Sequence, residues 1–120
     1  MSNFVTSNSG SLRGTIKVPG DKSISHRSIM LGSIADGVTR ISGFLEGEDS
    51  IATLNAFKEM GVKIERDASS VVIHGVGMRG LKKPKNSLNL GNSGTSIRLM
   101  SGLLSAQEFD SELCGDESLS

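Results

Sequence analysis

The chain has 120 residues, 36% of them hydrophobic and 22% charged, which are the proportions of one ordinary globular domain. Thirteen basic and thirteen acidic side chains cancel, so no overall field attracts nucleic acid or an acidic membrane. The single cysteine cannot form an internal disulfide, no secretory signal is recognisable, and no apolar run reaches the roughly 18 residues of a membrane span. We therefore expect a cytoplasmic protein that binds neither nucleic acid nor membrane.

The first part of the chain predicts the element order βαβαββ. Pro19 and Gly20 end the first strand, and the apolar spacing that follows is that of a helix. Alternation of apolar and polar residues predicts a hairpin after the second helix. The predicted elements are a strand over 14–18, a helix capped by Asp21 or Ser23 and ending near Gly37, a strand over 38–44, a helix capped by Asp49 or Ser50 and closed by Gly61, and strands over 62–66 and 71–75.

A glycine- and lysine-rich run, 75–85, then predicts a solvated linker to a second unit. The predicted elements beyond it are a strand over 87–90, a turn over 91–94 that caps a helix over 95–106, and a strand around 112–114. The fold class expected is α/β (α+β), with unit one over about 14–76 and the start of unit two over about 86–120.

The two units resemble each other at a shift of 70 residues. The shift pairs Ser23 with Ser93 and Met30 with Met100, among a dozen positions. This indicates one supersecondary unit used more than once, although helix patterning alone could produce so modest a similarity. If the repeat is real, the chain stops within its second unit.

The stretch PGDKSISHR gathers donors at the predicted start of the first helix: Lys22, Ser23, Ser25, His26 and Arg27. A helix start presents unpaired N–H groups and favours anions by roughly 0.3–1 kcal/mol, and each charge-assisted hydrogen bond adds about 1.5–3 kcal/mol. A phosphate or carboxylate site is the hypothesis. The alternative is that the two cations are solvated, Ser23 is only a cap and His26 lies against a neighbouring strand.

A second turn, LGNSGTSIR, places Asn92, Gly94 and Thr95 at a strand-to-helix junction, where glycine lets a ligand approach the backbone. It is neither a Walker loop nor a dinucleotide fingerprint, so no nucleotide is implied. The alternative is an ordinary capped turn with Arg98 exposed or paired. No metal-ligand spacing is visible, and the acidic run Glu46, Glu48 and Asp49 is expected to cap the second helix and face water.

Together PGDKSISHRSIMLGSIADG and LGNSGTSIRLMSG resemble the two N-terminal signatures of the 3-phosphoshikimate 1-carboxyvinyltransferase (EPSP synthase) family. The resemblance runs from about residue 10 to 120, and GDESLS is similar to the start of a third family motif. It implies an enzyme that transfers the enolpyruvyl group of phosphoenolpyruvate to the 5-hydroxyl of shikimate 3-phosphate and releases phosphate, with no cofactor and no metal. The implied fold has two domains of three βαβαββ units each, of which this chain holds about one and a half.

The resemblance also implies roles for individual residues. Lys22 would contact both substrates and act in catalysis, with Ser23 and Arg27 on shikimate 3-phosphate. Asn92 and Gly94 would line the phosphoenolpyruvate pocket, and the supporting residues would be Thr95 and Arg98. Residues 1–19 would belong to the domain that a C-terminal part completes, and 20–120 to an incomplete repeat domain. On this pattern the acid and base lie outside the chain, so the 120 residues alone are expected to be inactive.

Two alternatives stay open. The related transferase that acts on UDP-N-acetylglucosamine has a KN-type motif where this chain has KSISHR, and Cys114 lacks the surroundings of that enzyme's cysteine loop. The second alternative is a non-catalytic fragment that binds a phosphorylated ligand, or one subunit of a split enzyme with a complementing fragment. The family enzyme of full length is expected to be a monomer.

Overall fold

The computed structural model describes residues 2–68 and 70–117, and it confirms the mixed α/β class. In chain order the elements are α1 (Lys22–Ile34), β1 (Val38–Ile41), α2 (Glu48–Glu59), β2 (Lys63–Asp67), β3 (Ser70–His74), β4 (Leu88–Asn89), α3 (Gly94–Ser105) and β5 (Leu113–Cys114). Residues 118–120 of the predicted third motif lie outside the described residues. None of the described helices is long and apolar enough to cross a bilayer.

Two small sheets carry the three helices. The first has the order β1-β3-β2 and is antiparallel throughout, so the predicted hairpin is confirmed, with Ile64 opposite Ile73. The second pairs β4 with β5 in parallel, as expected for two strands joined by a crossover helix, here α3. The predicted linker, 75–85, contains no helix or strand.

The core lies between the helices and the first sheet, and it joins both units. Ile29 of α1, Phe57 of α2 and Ile73 of β3 are fully buried there, and Met100 and Leu104 of α3 belong to the same cluster. The residues that pack together therefore come from both sides of the linker. Burial of these side chains fixes how α1, α2 and α3 sit against one another.

The helix ends follow the predicted chemistry at the start of α1 and at the end of α2, but not at the start of α2. The Asp21 carboxylate accepts a hydrogen bond from the Ile24 N–H at 2.8 Å, which makes Asp21 the α1 cap. Gly61 closes α2 with a φ of +91°, a backbone conformation that favours glycine. The predicted caps of α2 are wrong, because Gly47 occupies that position and the helix already includes Asp49.

The repeat agrees only in part with the buried faces of α1 and α3, and not with their starts. Met30 and Met100 are both buried, as the shift of 70 requires, but Ile29 is fully buried while its counterpart Leu99 is 37% exposed. Ser93 is the α3 N-cap, whereas Ser23 already lies within α1. The inward faces therefore differ in part, and α3 begins two residues later than the shift predicts.

The predicted strand over 14–18 is absent from this structure. Ile16 and Val18 are 87% and 71% exposed, and residues 2–20 have no helix or strand. A strand needs a partner for its backbone N–H and C=O groups, and no described strand lies beside this segment. Residues 14–18 therefore have the sequence pattern of a strand, but the described residues offer no strand edge with which this segment pairs.

Candidate anion-binding site

The donor cluster predicted at the start of α1 divides into an outer and an inner group. Lys22 and Arg27 are exposed and Ser23 is half-buried, so these three side chains are available to a ligand. Ser25 and His26 are buried instead, and the interpretation of all five as one ligand-facing cluster is wrong for these two. Lys22 lies on the same face of α1 as His26 and is exposed because it is the first residue of the helix, whereas Arg27 points about 100° away from His26.

Ser25 fixes the loop in front of α2 to the start of α1. Its hydroxyl donates to the Asp21 carbonyl at 2.7 Å and accepts from the Leu45 N–H at 3.1 Å. Gly20 lies so close to the same loop that a methyl group there would collide with the Gly43 carbonyl oxygen. The PGD turn is therefore required for packing as well as for presenting donors.

Lys22 forms an ion pair with Asp49 in the first turn of α2. The Asp49 side chain is only 15% exposed, whereas that of Lys22 is 55% exposed. The expectation that Asp49 faces water as part of a capping run is therefore wrong: packing of α1 against α2 places a cation beside it. No sequence signal pointed to this pair, since 27 residues separate its members.

Asp49 also borders the second donor-rich turn. A methyl group on Gly91 would lie 3.9 Å from Asp49 Oδ1, while Lys22 contacts the other carboxylate oxygen. The two predicted turns, far apart in sequence, thus meet on either side of one carboxylate. Asn92 is exposed at this junction and Gly94 and Thr95 are half-buried.

Gly94 opens α3 in a conformation that does not require glycine. A methyl group placed there would have the Arg98 guanidinium as its nearest neighbour outside the helix backbone, at 3.9 Å, which is an ordinary contact. The fold therefore leaves the space in front of Gly94 open. Arg98 is itself exposed and folds back toward the first turn of its helix.

His26 lies beneath the site and touches all three helices. Its Nδ1 is 2.9 Å from Thr53 Oγ1 of α2 and 3.0 Å from Ser96 Oγ of α3, and its Nε2 is 3.5 Å from the Oγ of the α3 cap Ser93. The proposed contact with a neighbouring strand is wrong, because the neighbours are helices. Burial lowers the pKa of His26 below 6.5, Asp49 opposes this shift and Lys22 adds to it, so the imidazole is neutral at pH 7.

A cleft of 690 Å³ between α2 and β4 adjoins the second turn at Gly91, but the donor side chains of the two turns do not line it. Glu46, Glu48 and Glu59 contribute to its lining, with Arg66, while none of Lys22, Arg27 and Gly94 does. The acidic lining does not suit a phosphate, so we place the anion site on the donor-rich surface. The described residues contain no group of three or more His, Cys, Asp or Glu side chains arranged to hold a metal ion.

The fold and the paired turns belong to a known class of α/β protein. The family model described as EPSP synthase (3-phosphoshikimate 1-carboxyvinyltransferase) matches residues 6–120. The chain therefore belongs to the EPSP synthase family.

Two curated relatives carry that enzyme's name. A 3-phosphoshikimate 1-carboxyvinyltransferase of Ruthia magnifica subsp. Calyptogena magnifica is 71% identical over 120 residues, which is all of this chain and 28% of the relative. One from Legionella pneumophila (strain Lens) is 62% identical over 120 residues, 99% of this chain and 28% of the relative. A solved structure of EPSP synthase from Acinetobacter baumannii superimposes with a TM-score of 0.84 at 64% identity, covering 89% of this chain and 24% of that one. The chain thus spans about a quarter of the length of these proteins.

Proposed function

We propose that the protein carrying this chain transfers the enolpyruvyl group of phosphoenolpyruvate to the 5-hydroxyl of shikimate 3-phosphate. The hydroxyl loses its proton as its oxygen adds to the enol carbon and the methylene carbon takes up a proton, which gives a tetrahedral intermediate. Loss of a proton from the new methyl group, with cleavage of the bond between carbon and the phosphate oxygen, restores the double bond and releases inorganic phosphate. The observation that carries the proposal is the meeting of two donor-rich helix starts at Asp49, in a chain that matches the family over residues 6–120.

The two substrates are both anions, and the donors divide between them. Arg27 offers a planar fork to the phosphate of shikimate 3-phosphate, and Ser23 offers a hydroxyl. Asn92 and the backbone at Gly94 line the phosphoenolpyruvate side, because the open space before Gly94 admits a ligand to the helix start. Thr95 and Arg98 support that turn from the first two turns of α3.

Lys22 is the residue that touches both ligands. Its ammonium contacts one oxygen of Asp49, whose other oxygen faces Gly91 of the second turn, and we assign to it the role of offsetting the repulsion between the two anions and stabilising charge that develops as the intermediate forms. Asp49 holds the ammonium in place before substrate arrives. A phosphate then competes with one ion pair whose lysine is half exposed, so the ammonium can turn to the ligand without leaving water.

The rest of the site belongs to protein beyond these 120 residues. The donors occupy an open surface, and a second wall is needed to exclude water and strengthen their fields. We assign the acid and the base that transfer protons to the protein beyond these 120 residues. We also assign segment 14–18 to a sheet in that part of the protein. A cytoplasmic location and a monomeric state go with this assignment, and the 120 residues alone are expected to show no turnover.

The test is a chimaera in which these 120 residues replace the matching residues of the Ruthia magnifica relative. We expect phosphate release that requires both substrates, and none from the 120 residues alone. A folded chimaera that binds neither substrate would overturn the proposal. One that binds both without turnover would favour the non-catalytic binding role, and activity restored by mixing the 120 residues with the separate remainder would favour the split enzyme.

A further inference from the structure

A buried imidazole lies directly behind the start of α3. His26 has no exposed surface, and its Nδ1 is 2.9 Å from Thr53 Oγ1 and 3.0 Å from Ser96 Oγ. Its Nε2 is 3.5 Å from Ser93 Oγ, at the outer limit of a hydrogen bond. These three neighbours are hydroxyls, which both donate and accept, so the ring can hold one proton or two without leaving an N–H unpaired.

A neutral ring has one order of protons in which all of these groups have partners. The Nδ1–H donates to Ser96 Oγ, the Ser96 hydroxyl donates to Thr53 Oγ1 at 2.6 Å, and the Thr53 hydroxyl donates to the Asp49 carbonyl at 3.3 Å. The Ser93 hydroxyl then donates to the bare Nε2. With a proton on Nε2 this last bond reverses, and the Ser93 hydroxyl has to donate to another acceptor.

The start of α3 is the place where such an acceptor can bind. Ser93 is the N-cap of α3 and its Oγ accepts from the Ser96 N–H at 3.0 Å, which puts the hydroxyl among the first N–H groups of the helix. The N–H groups of Gly94 and Thr95 lie at the first two helical positions and have no partner within the helix. An anion oxygen held by those N–H groups is an acceptor for the Ser93 hydroxyl, and because Ser93 is buried, only a ligand seated against the helix start reaches it.

The charges around the ring make an anion and a proton favour each other. Lys22 faces the ring from α1 and Asp49 from α2, while α3 presents serine hydroxyls, and its charged residue, Arg98, is exposed and folds toward Gly94. Burial lowers the pKa of His26, Asp49 raises it and Lys22 lowers it further. A negative charge bound at the start of α3 acts in the same direction as Asp49. By linkage, the bound anion raises the proton affinity of the ring and the proton raises the affinity for the anion.

We propose that Ser93 is a further anion-binding residue of the second turn, and that its hydroxyl turns from His26 to the bound anion as the imidazole takes up a proton. The proton comes from solvent and bonds to Nε2, whereas the Ser93 O–H bond stays intact and only its acceptor changes. The anion is then held by a hydroxyl as well as by backbone N–H groups, with a cation directly behind them. The inference rests on the proposed function, because it takes the second turn to hold phosphoenolpyruvate.

The first measurement is nitrogen NMR of the Ruthia chimaera with isotope-labelled histidine. The chemical shifts of Nδ1 and Nε2 distinguish the two neutral tautomers from the imidazolium, and His26→Gln identifies the signals of His26. We expect the ring without ligands to be neutral at pH 7.5, with its proton on Nδ1. Shikimate 3-phosphate and glyphosate together, which fill both turns without turnover, should raise the pKa of His26 by about one pH unit or more, a tenfold gain in proton affinity.

The second measurement is calorimetric binding of glyphosate to Ser93→Gly at saturating shikimate 3-phosphate. The substitution removes the hydroxyl and leaves a residue that is accepted at an N-cap, so the start of α3 is retained. A hydrogen bond to a charged group commonly contributes about tenfold or more in affinity, and we expect a loss of this size for glyphosate, with the binding of shikimate 3-phosphate unchanged. Ser101→Ala is the matched control, because the exposed Ser101 hydroxyl donates to the Ile97 carbonyl of its own helix.

Either of two results would overturn the inference and leave the proposed function intact. One is a pKa of His26 that the two ligands together leave unchanged. The other is a folded Ser93→Gly variant that binds glyphosate as tightly as Ser101→Ala does, and this second measurement needs no histidine variant to fold. An unsubstituted chimaera that binds neither ligand would instead overturn the proposed function, and the inference with it.

Discussion

Lys22 of α1 and Asp49 of α2 form an ion pair that joins the first turns of two helices. The carboxylate is largely shielded from water while the ammonium is half exposed, so the pair holds a cation at the surface in a fixed position. Gly91 lies on the other side of the same carboxylate. The pair therefore marks the point at which the two donor-rich turns meet.

Lys22→Met should abolish turnover in the chimaera without unfolding it. The methionine is one heavy atom shorter than lysine and has no charge. At about 1.5–3 kcal/mol for each charge-assisted contact, this predicts a loss of two orders of magnitude or more in kcat/KM. The assay is phosphate release over a range of concentrations of each substrate, which gives both kcat and kcat/KM. Lys58→Met is the matched control, since Lys58 is exposed at the far end of α2, about 13 Å along the helix from Asp49. A Lys22→Met variant as active as the control would refute the assigned role.

Asp49→Asn should lower the free energy of unfolding by about 1 kcal/mol, as the sum of a partly exposed ion pair and the favourable charge at a helix start. Glu48→Gln removes an equal charge from the same turn, from an exposed side chain. We expect it to cost about half as much, because only the helix-dipole contribution is lost. Urea titration of both variants supplies the comparison, and equal losses would mean that the pair with Lys22 contributes nothing.

Gly94→Ala should leave the fold unchanged and weaken the binding of phosphoenolpyruvate. The added methyl group meets the Arg98 guanidinium at an ordinary 3.9 Å, so any loss arises from a ligand that approaches the helix start. We expect KM for phosphoenolpyruvate to rise and inhibition by glyphosate to weaken, with KM for shikimate 3-phosphate nearly constant. Gly102→Ala on the same helix, where a methyl group meets nothing within 4 Å, is the control. Unaltered responses to both ligands would remove Gly94 from the pocket.

Stability should depend on pH through His26. Its pKa in the folded chain is below the 6.5 of an unfolded histidine because burial disfavours the imidazolium. As pH falls below about 7, the unfolded chain takes up a proton before the folded chain does, so stability is lost between about pH 6.5 and the lower folded pKa, by at most about 1.4 kcal/mol per pH unit. The charged groups acting on the ring are Asp49 and Lys22, and α3 presents only the hydroxyls of Ser93 and Ser96.

The measurement is urea unfolding of the chimaera between pH 7.5 and pH 5. His26→Gln should flatten the curve over this window. His74→Gln is the matched control, because the side chain of His74 is 39% exposed at the end of β3. If the two variants showed the same pH dependence as the unsubstituted protein, the burial of His26 would have no consequence for its proton affinity.

Local patterns predicted most of the elements because each depends on near neighbours. Asp21 followed by a helical apolar pattern predicted α1, and strict alternation predicted the hairpin of β2 and β3. The same reasoning failed at the strand over 14–18, whose alternation is a local property while its hydrogen bonds require an edge elsewhere. It also missed the pairing of Asp49 with Lys22, because the helix dipole alone explains an acidic residue in the first turn of a helix.

The sequence by itself determined that two glycine-preceded, donor-rich turns begin helices, and its motifs carried the family resemblance that the comparison confirmed. Only the tertiary structure decided which donors face outward, that Lys22 lies against Asp49, and that His26 contacts Ser93 and Ser96 nearly 70 residues away. The physical reason is that helix starts and turns follow from backbone and side-chain preferences within a few residues. The meeting of α1, α2 and α3 follows from burying one apolar core to which all three contribute.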